Sequence, residues 1–146
     1  LTPVLHRIHH VAHVVPDIDA AMAGLAAPWG LTLEVREVLA DQAVEAAMLR
    51  AGDVRVELIS PTTDDSGVAR FLERRGPGFH HVAYTVPDLA AALAELAADG
   101  AELIDEAPRD GLGGHLVAFV HPRSGGGVLT ELLEEPHPPD ARPPRL

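Results

Sequence analysis

RIHHVAHVV, from Arg7 to Val15, is rich in β-branched residues and bounded by Pro16, which predicts a strand whose side chains alternate between two faces with a period of two. The alternation sets His6, Ile8 and His10 on one face and Arg7, His9 and Val11 on the other. The alanine-rich stretch PDIDAAMAGLAAPWG then reads as a helix, with Asp17 or Asp19 as N-cap and Pro28 with Gly30 as the stop. Three more strands are expected at 31–39, 44–52 and 54–60, the last two joined by a tight turn over 51–53. The predicted order is β-α-β-β-β.

That order returns. HHVAHVVPDIDAAMAGLA, beginning at His9, recurs as HHVAYTVPDLAAALAELA, beginning at His80, at a constant offset of 71 that superimposes His10 on His81, Pro16 on Pro87 and Asp17 on Asp88. In the second copy FHHVAYTV, AELIDEAP, HLVAFVHP and GVLTELLEE are the expected strands, and PDLAAALAELAADG is a helix closed by Gly100. Between the copies, 61–78 is a connector carrying a short amphipathic helix, VARFLERRG. Its arginines Arg70, Arg74 and Arg75 lie between apolar positions, a pattern better suited to a connector than to an anion site. From Pro136 the chain is PHPPDARPPRL, too rich in proline to pack, and is expected to be a flexible tail. The expectation is one domain over 1–146, built from two modules of about 7–60 and 79–135 that pack face to face about a pseudo-twofold axis.

Composition narrows the function. Hydrophobic residues make up 47% of the chain but aromatic residues only 3%, so a globular core must be built from Val, Leu, Ile and Ala. A net charge of −11 without any basic run disfavours nucleic acid or an anionic membrane surface as partner. With no cysteine there is no disulfide, thiol nucleophile or Cys zinc site. No apolar run approaches the roughly 20 residues that span a bilayer, and the N-terminus does not read as a signal peptide, so the expected location is the cytoplasm.

The duplication also brings chemistry. His10 lies in the first strand of the first copy and Glu57 in its last; His81 and Glu131 hold the corresponding places in the second, with separations of 47 and 50 residues. A single histidine in a strand is ordinarily a hydrogen-bonded core or edge residue, and a single strand glutamate ordinarily faces solvent. Recurrence at matching places is what points further. Two imidazoles and two carboxylates suit a divalent ion of borderline to hard character, and four such ligands in an octahedral shell leave two positions open for water or a chelating substrate. His9 and His80 recur too, but alternation turns them away from that face and they read as structural; His6, His13, His115, His121 and His137 have no partner at the repeat offset.

These residues resemble the vicinal oxygen chelate superfamily and, within it, the methylmalonyl-CoA epimerase family. The likeness runs through HHVAHVVPDI, SPTTDDSGVARFLERRGPGFHHVAY and FVHPRSGGGVLTEL, and spans residues 8 to 135. It implies an α+β fold in which paired βαβββ modules form a cup-shaped, mostly antiparallel sheet around a metal held by His10, Glu57, His81 and Glu131. It further implies Co²⁺ first, with Mn²⁺, Ni²⁺, Fe²⁺ or Zn²⁺ acceptable, an acyl-CoA substrate with Arg123 near its CoA moiety, and a homodimer. The implied reaction interconverts (2R)- and (2S)-methylmalonyl-CoA by removal and return of the α-proton. Glu131 is expected to be one proton carrier, with Glu45 or Glu57 as the other. The family's third-strand glutamate falls on Ala46, and Glu45 beside it faces the other way unless a bulge turns it back. The alternatives are a glyoxalase-I-like lyase and a metal-free small-molecule-binding protein.

Overall fold

The computed structural model describes residues 5–135, so the expected tail lies outside the described residues. In chain order the elements are β1 (Ile8–Val14), α1 (Ile18–Trp29), β2 (Thr32–Leu39), β3 (Val44–Ala51), β4 (Val54–Pro61), α2 (Gly67–Arg75), β5 (Gly78–Val86), α3 (Leu89–Ala98), β6 (Arg109–Asp110), β7 (Leu116–Val120) and β8 (Thr130–Glu134). The eight strands form one curled sheet in the order β2-β3-β4-β1-β5-β8-β7-β6. β1 and β5 pair antiparallel at its middle, and each is flanked by a parallel partner, β4 or β8.

Both long helices start where an aspartate can cap them. Asp17 Oδ1 accepts the Ala20 N–H at 3.0 Å and Asp88 Oδ1 accepts the Ala91 N–H at 3.0 Å, each satisfying a donor the first turn would otherwise leave free. α1 runs through Pro28 to Trp29 and ends at Gly30, whose φ of 71° is the left-handed conformation that glycine adopts without strain.

One face of the sheet is roofed by these helices. Ile18, Met22 and Leu25 of α1 pack on Ala47, Leu49 and Leu58, and Leu89 and Leu93 of α3 pack on Ala118, Val120 and Leu132. The opposite face is the concave side and is left without a long helix over it. Among the described residues, no helix is long and apolar enough to cross a membrane.

The expected strand AELIDEAP is a correction. Only Leu103 makes a bridge, to Val120, and the regular pairing is confined to Arg109–Asp110. Ile104 and Asp105 both donate to the Phe119 carbonyl, while the Asp105 carboxylate accepts the Phe119 N–H at 2.8 Å. A side chain thereby takes the place of a ladder carbonyl, and Pro108 has no N–H to resume the ladder.

Leu58 is 1% exposed beneath α1, whereas Val38 on the edge strand is 58% exposed. Leu58→Ala is expected to cost about 2–5 kcal/mol and Val38→Ala under about 0.5 kcal/mol, as read from urea denaturation midpoints.

Candidate metal and catalytic centre

Strand register assembles the site. Directly opposed residues share a face of a sheet. Across the central pair His10 opposes Ala83 and His81 opposes Ala12; Ala12 in turn opposes Glu57 on β4, and Ala83 opposes Glu131 on β8. Four functional side chains therefore surround two alanines that are themselves fully buried. Their methyl groups leave the space above the sheet to the imidazoles and carboxyls.

The four sequence-predicted residues converge on the concave face. His10 Nε2 lies 3.3 Å from His81 Nε2 and 3.0 Å from Glu131 Oε2, and His81 Nε2 lies 2.8 Å from that same oxygen. Glu57 stands further off, with Oε2 3.8 Å from His10 Nε2 and Oε1 3.9 Å from His81 Nε2. All four are buried. Ligand bonds of roughly 2.0–2.2 Å to a divalent ion give donor-to-donor edges of roughly 3 Å, so the spacing and chemistry of His10, His81 and Glu131 fit one ion, with Glu57 within reach as a further donor.

Burial and neighbours separate the two carboxyls. Burial pushes Glu57 above the usual carboxylate range, the charge of Glu131 adding to this and the two imidazoles only partly offsetting it. Burial acts the same way on Glu131, but hydrogen bonds from His10 and His81 outweigh it and hold Glu131 well below that range. For His10, burial favours the neutral ring, yet the bond to Glu131 and the charges of Glu131 and Glu57 leave it above its ordinary value.

His9 and His80 are not the inert structural residues that alternation suggests. The β1–β5 register skips one residue on β1, His9, and one on β5, His80, so each histidine is the extra residue of a bulge. Freed from strict alternation, their rings turn back, bringing His9 Nδ1 to 2.8 Å from His10 Nδ1 and His80 Nδ1 to 2.8 Å from His81 Nδ1. Each such contact needs one donor and one acceptor. Burial, followed by the charge of the neighbouring histidine, lowers His9 to about 3 and His80 to about 4, so both are neutral rings able to accept. They direct the Nδ1 proton of His10 and His81 outward and leave Nε2 to face the cluster. The duplicated His-His dipeptide was the sequence signal for this role.

Glu45 is a correction. β3 pairs with β4 without a break, Ala46 opposing Ile59 and Glu45 opposing Ser60, so no bulge returns Glu45 to the cup. Its Oε1 is held 2.8 Å from Arg36 Nη2, and Arg36 also bonds Asp19 on α1, which fixes Glu45 on the helix-covered side. Ala46 occupies the concave face among Met48 and Leu112. Arg123, expected near a CoA moiety, is surface-exposed and lies 3.6 Å from Glu102.

A cavity of about 350 Å³ opens over the cluster, reaching Glu57, His81 and Glu131, with Ala46, Ile59, Phe71 and Phe119 among its walls and Arg109 as a charged member. A second cavity of about 570 Å³ adjoins it, shares Gly67, Phe71 and His80 with it, and carries Arg70, Arg74 and Arg75 of α2.

His9→Leu or His80→Leu removes the acceptor behind a cluster histidine and is expected to weaken Co²⁺ binding by about 10- to 100-fold in isothermal titration calorimetry; unchanged affinity would contradict the relay. The unfolded chain protonates these rings near pH 6.5 but the folded chain does so only near pH 3 and 4, so each one lowers stability as pH falls below about 6.5. Imidazole resonances of His9 and His80 should accordingly show no titration between pH 8 and 5 in NMR spectra.

The chain is similar to known proteins in sequence and in fold. Residues 9–119 match the model of the Glyoxalase/Bleomycin resistance protein/Dioxygenase superfamily. The chain is 38% identical over 130 residues to the uncharacterized protein YqjC of Bacillus subtilis, covering 89% of this chain and 93% of that protein. It is 33% identical over 131 residues to an ethylmalonyl-CoA/methylmalonyl-CoA epimerase of Cereibacter sphaeroides, covering 88% of this chain and 98% of that one. A solved structure of a Streptomyces coelicolor methylmalonyl-CoA epimerase variant in complex with 2-nitronate-propionyl-CoA superimposes with a TM-score of 0.85 at 34% identity, covering 89% of this chain and 97% of that one. With its paired His/Glu strands, its curled sheet and a family match over residues 9–119, the chain belongs to the glyoxalase/bleomycin resistance protein/dioxygenase superfamily, the vicinal oxygen chelate fold.

Proposed function

We propose that the protein is a metal-dependent epimerase of methylmalonyl-CoA. The observation that carries the reading is the meeting of two imidazoles and two carboxyls at one buried point under an open cavity. An α-proton beside a thioester is too weakly acidic for a carboxylate acting alone. His10, Glu57, His81 and Glu131 would hold a divalent cation, which supplies Lewis-acid stabilisation of the negative charge developing on the thioester oxygen.

The chain's own residues move the proton. Glu131, whose carboxylate oxygen lies beside His10 and His81 at the cluster, is the base. Glu57, which stands further from the imidazole nitrogens, returns a proton to the α-carbon. Apolar walls such as Ile59, Val68 and Phe71 exclude water from the carbanionic carbon. The cationic groove of Arg70, Arg74 and Arg75, in a chain with a net charge of −11, matches the phosphates of a CoA thioester. The C. sphaeroides and S. coelicolor relatives support the substrate class.

Incubating (2R)-methylmalonyl-CoA with Co²⁺-loaded protein in D₂O should wash deuterium into the α position. Glu131→Gln is expected to slow this exchange by about 10²- to 10⁴-fold and Glu57→Gln by at least about tenfold, whereas Glu45→Gln should stay within about twofold of the unaltered protein. Absence of exchange, together with turnover of a glutathione hemithioacetal, would move the assignment to glyoxalase-like chemistry.

A further inference from the structure

Resting on that reading, we propose that Arg109 is the specificity residue that selects acyl groups bearing a free carboxylate over acyl groups without one. Arg109 is the one permanently charged cation among the residues lining the cavity over the cluster. It sits on β6, where it opposes Val117, and its guanidinium carbon lies 5.6 Å from the centre of the Phe119 ring. That ring meets His81 edge-on at 5.1 Å, so packing ties the guanidinium to the wall nearest the cluster.

The guanidinium has one loose ion-pair partner, Asp105, and that partner is shared. Its nearest carboxylate oxygen, Asp105 Oδ2, is 3.5 Å from Nε, and that oxygen already accepts the Phe119 N–H at 2.8 Å. Arg109 Nε is buried and without a hydrogen-bond partner among the described residues. A guanidinium offers five N–H donors, and donors left unmet inside a cavity are satisfied best by an anion.

Beyond Asp105, the carboxyls met by the cavity are Glu57 and Glu131, and both belong to the cluster. A carboxylate on the acyl group gives the guanidinium N–H groups an acceptor, which a plain acyl group lacks. The phosphates of the handle do not compete for this place, because Arg70, Arg74 and Arg75 face them in the adjoining groove. Propionyl-CoA and methylmalonyl-CoA differ only by that carboxylate and so isolate the effect.

The test compares dissociation constants of both thioesters by calorimetry on the Co²⁺-loaded protein and on its Arg109→Gln and Arg109→Lys variants. The unaltered protein should prefer methylmalonyl-CoA by about 10- to 100-fold, as for one charge-assisted pair. Arg109→Gln should abolish the preference while changing propionyl-CoA affinity by less than about twofold, and Arg109→Lys should keep part of it. If Arg109→Gln weakens both thioesters alike, the residue only props Phe119 and Asp105 and the inference fails. Retention of the preference in Arg109→Gln, or equal affinities in the unaltered protein, overturns it as well. In those cases α-proton exchange still stands as evidence for the epimerase; failure of the unaltered protein to bind either thioester would sink both.

Discussion

The antiparallel pairing of β1 with β5 is the constraint on which the rest of the molecule depends. Its register sets His10 against Ala83 and His81 against Ala12, and the parallel strands outside the pair then bring Glu131 and Glu57 to those same alanines. Side chains alternate with a period of two, so a slip of one residue would send one half's ligands to the helix-covered face. The bulges at His9 and His80 pin that register and at the same time supply the rings that orient His10 and His81. One backbone feature thus serves both pairing and chemistry.

Gathering ionisable groups in this way does little for stability. Carboxyls and imidazoles taken out of water lose hydration, and their mutual attraction only roughly restores it. The sheet is held instead by the apolar layers under α1 and α3, where Leu58, Leu49, Leu132 and Leu89 are almost fully buried. Because those layers lie on the face opposite the cluster, the concave side can carry unlike proton affinities and an open cavity without weakening the core. Shared fold alone would leave the function open, since one scaffold hosts many reactions. The placement of two carboxyls beside two imidazoles narrows it.

The duplicated segment made much of this legible in advance. Offset matching of His10 with His81 located both central strands, and Asp17, one of two candidate caps, and its repeat mate Asp88 cap the two long helices. Alternation along β3 turns Glu45 outward and Ala46 inward, and the bulge that would have kept Glu45 a candidate proton carrier is absent from the β3–β4 pairing. What failed did so where interstrand geometry overrides local pattern. AELIDEAP has the residues of a strand, yet the Asp105 carboxylate takes the Phe119 N–H and the ladder stops. The parts of His9 and His80 were hidden because a bulge is a relation between two strands, and single-strand periodicity contains no trace of it. Arg109 went unnoticed because its stacking on Phe119 joins residues from different strands.

The central claim is that a single divalent ion belongs at the meeting point of the two halves. Anomalous scattering from a crystal grown with Co²⁺ tests it most directly. The account predicts one strong peak roughly 2.0–2.2 Å from His10 Nε2, His81 Nε2 and a Glu131 carboxylate oxygen, with Glu57 facing it. No peak there, or a peak bound by other side chains while these four keep the contacts they have without it, would contradict the account.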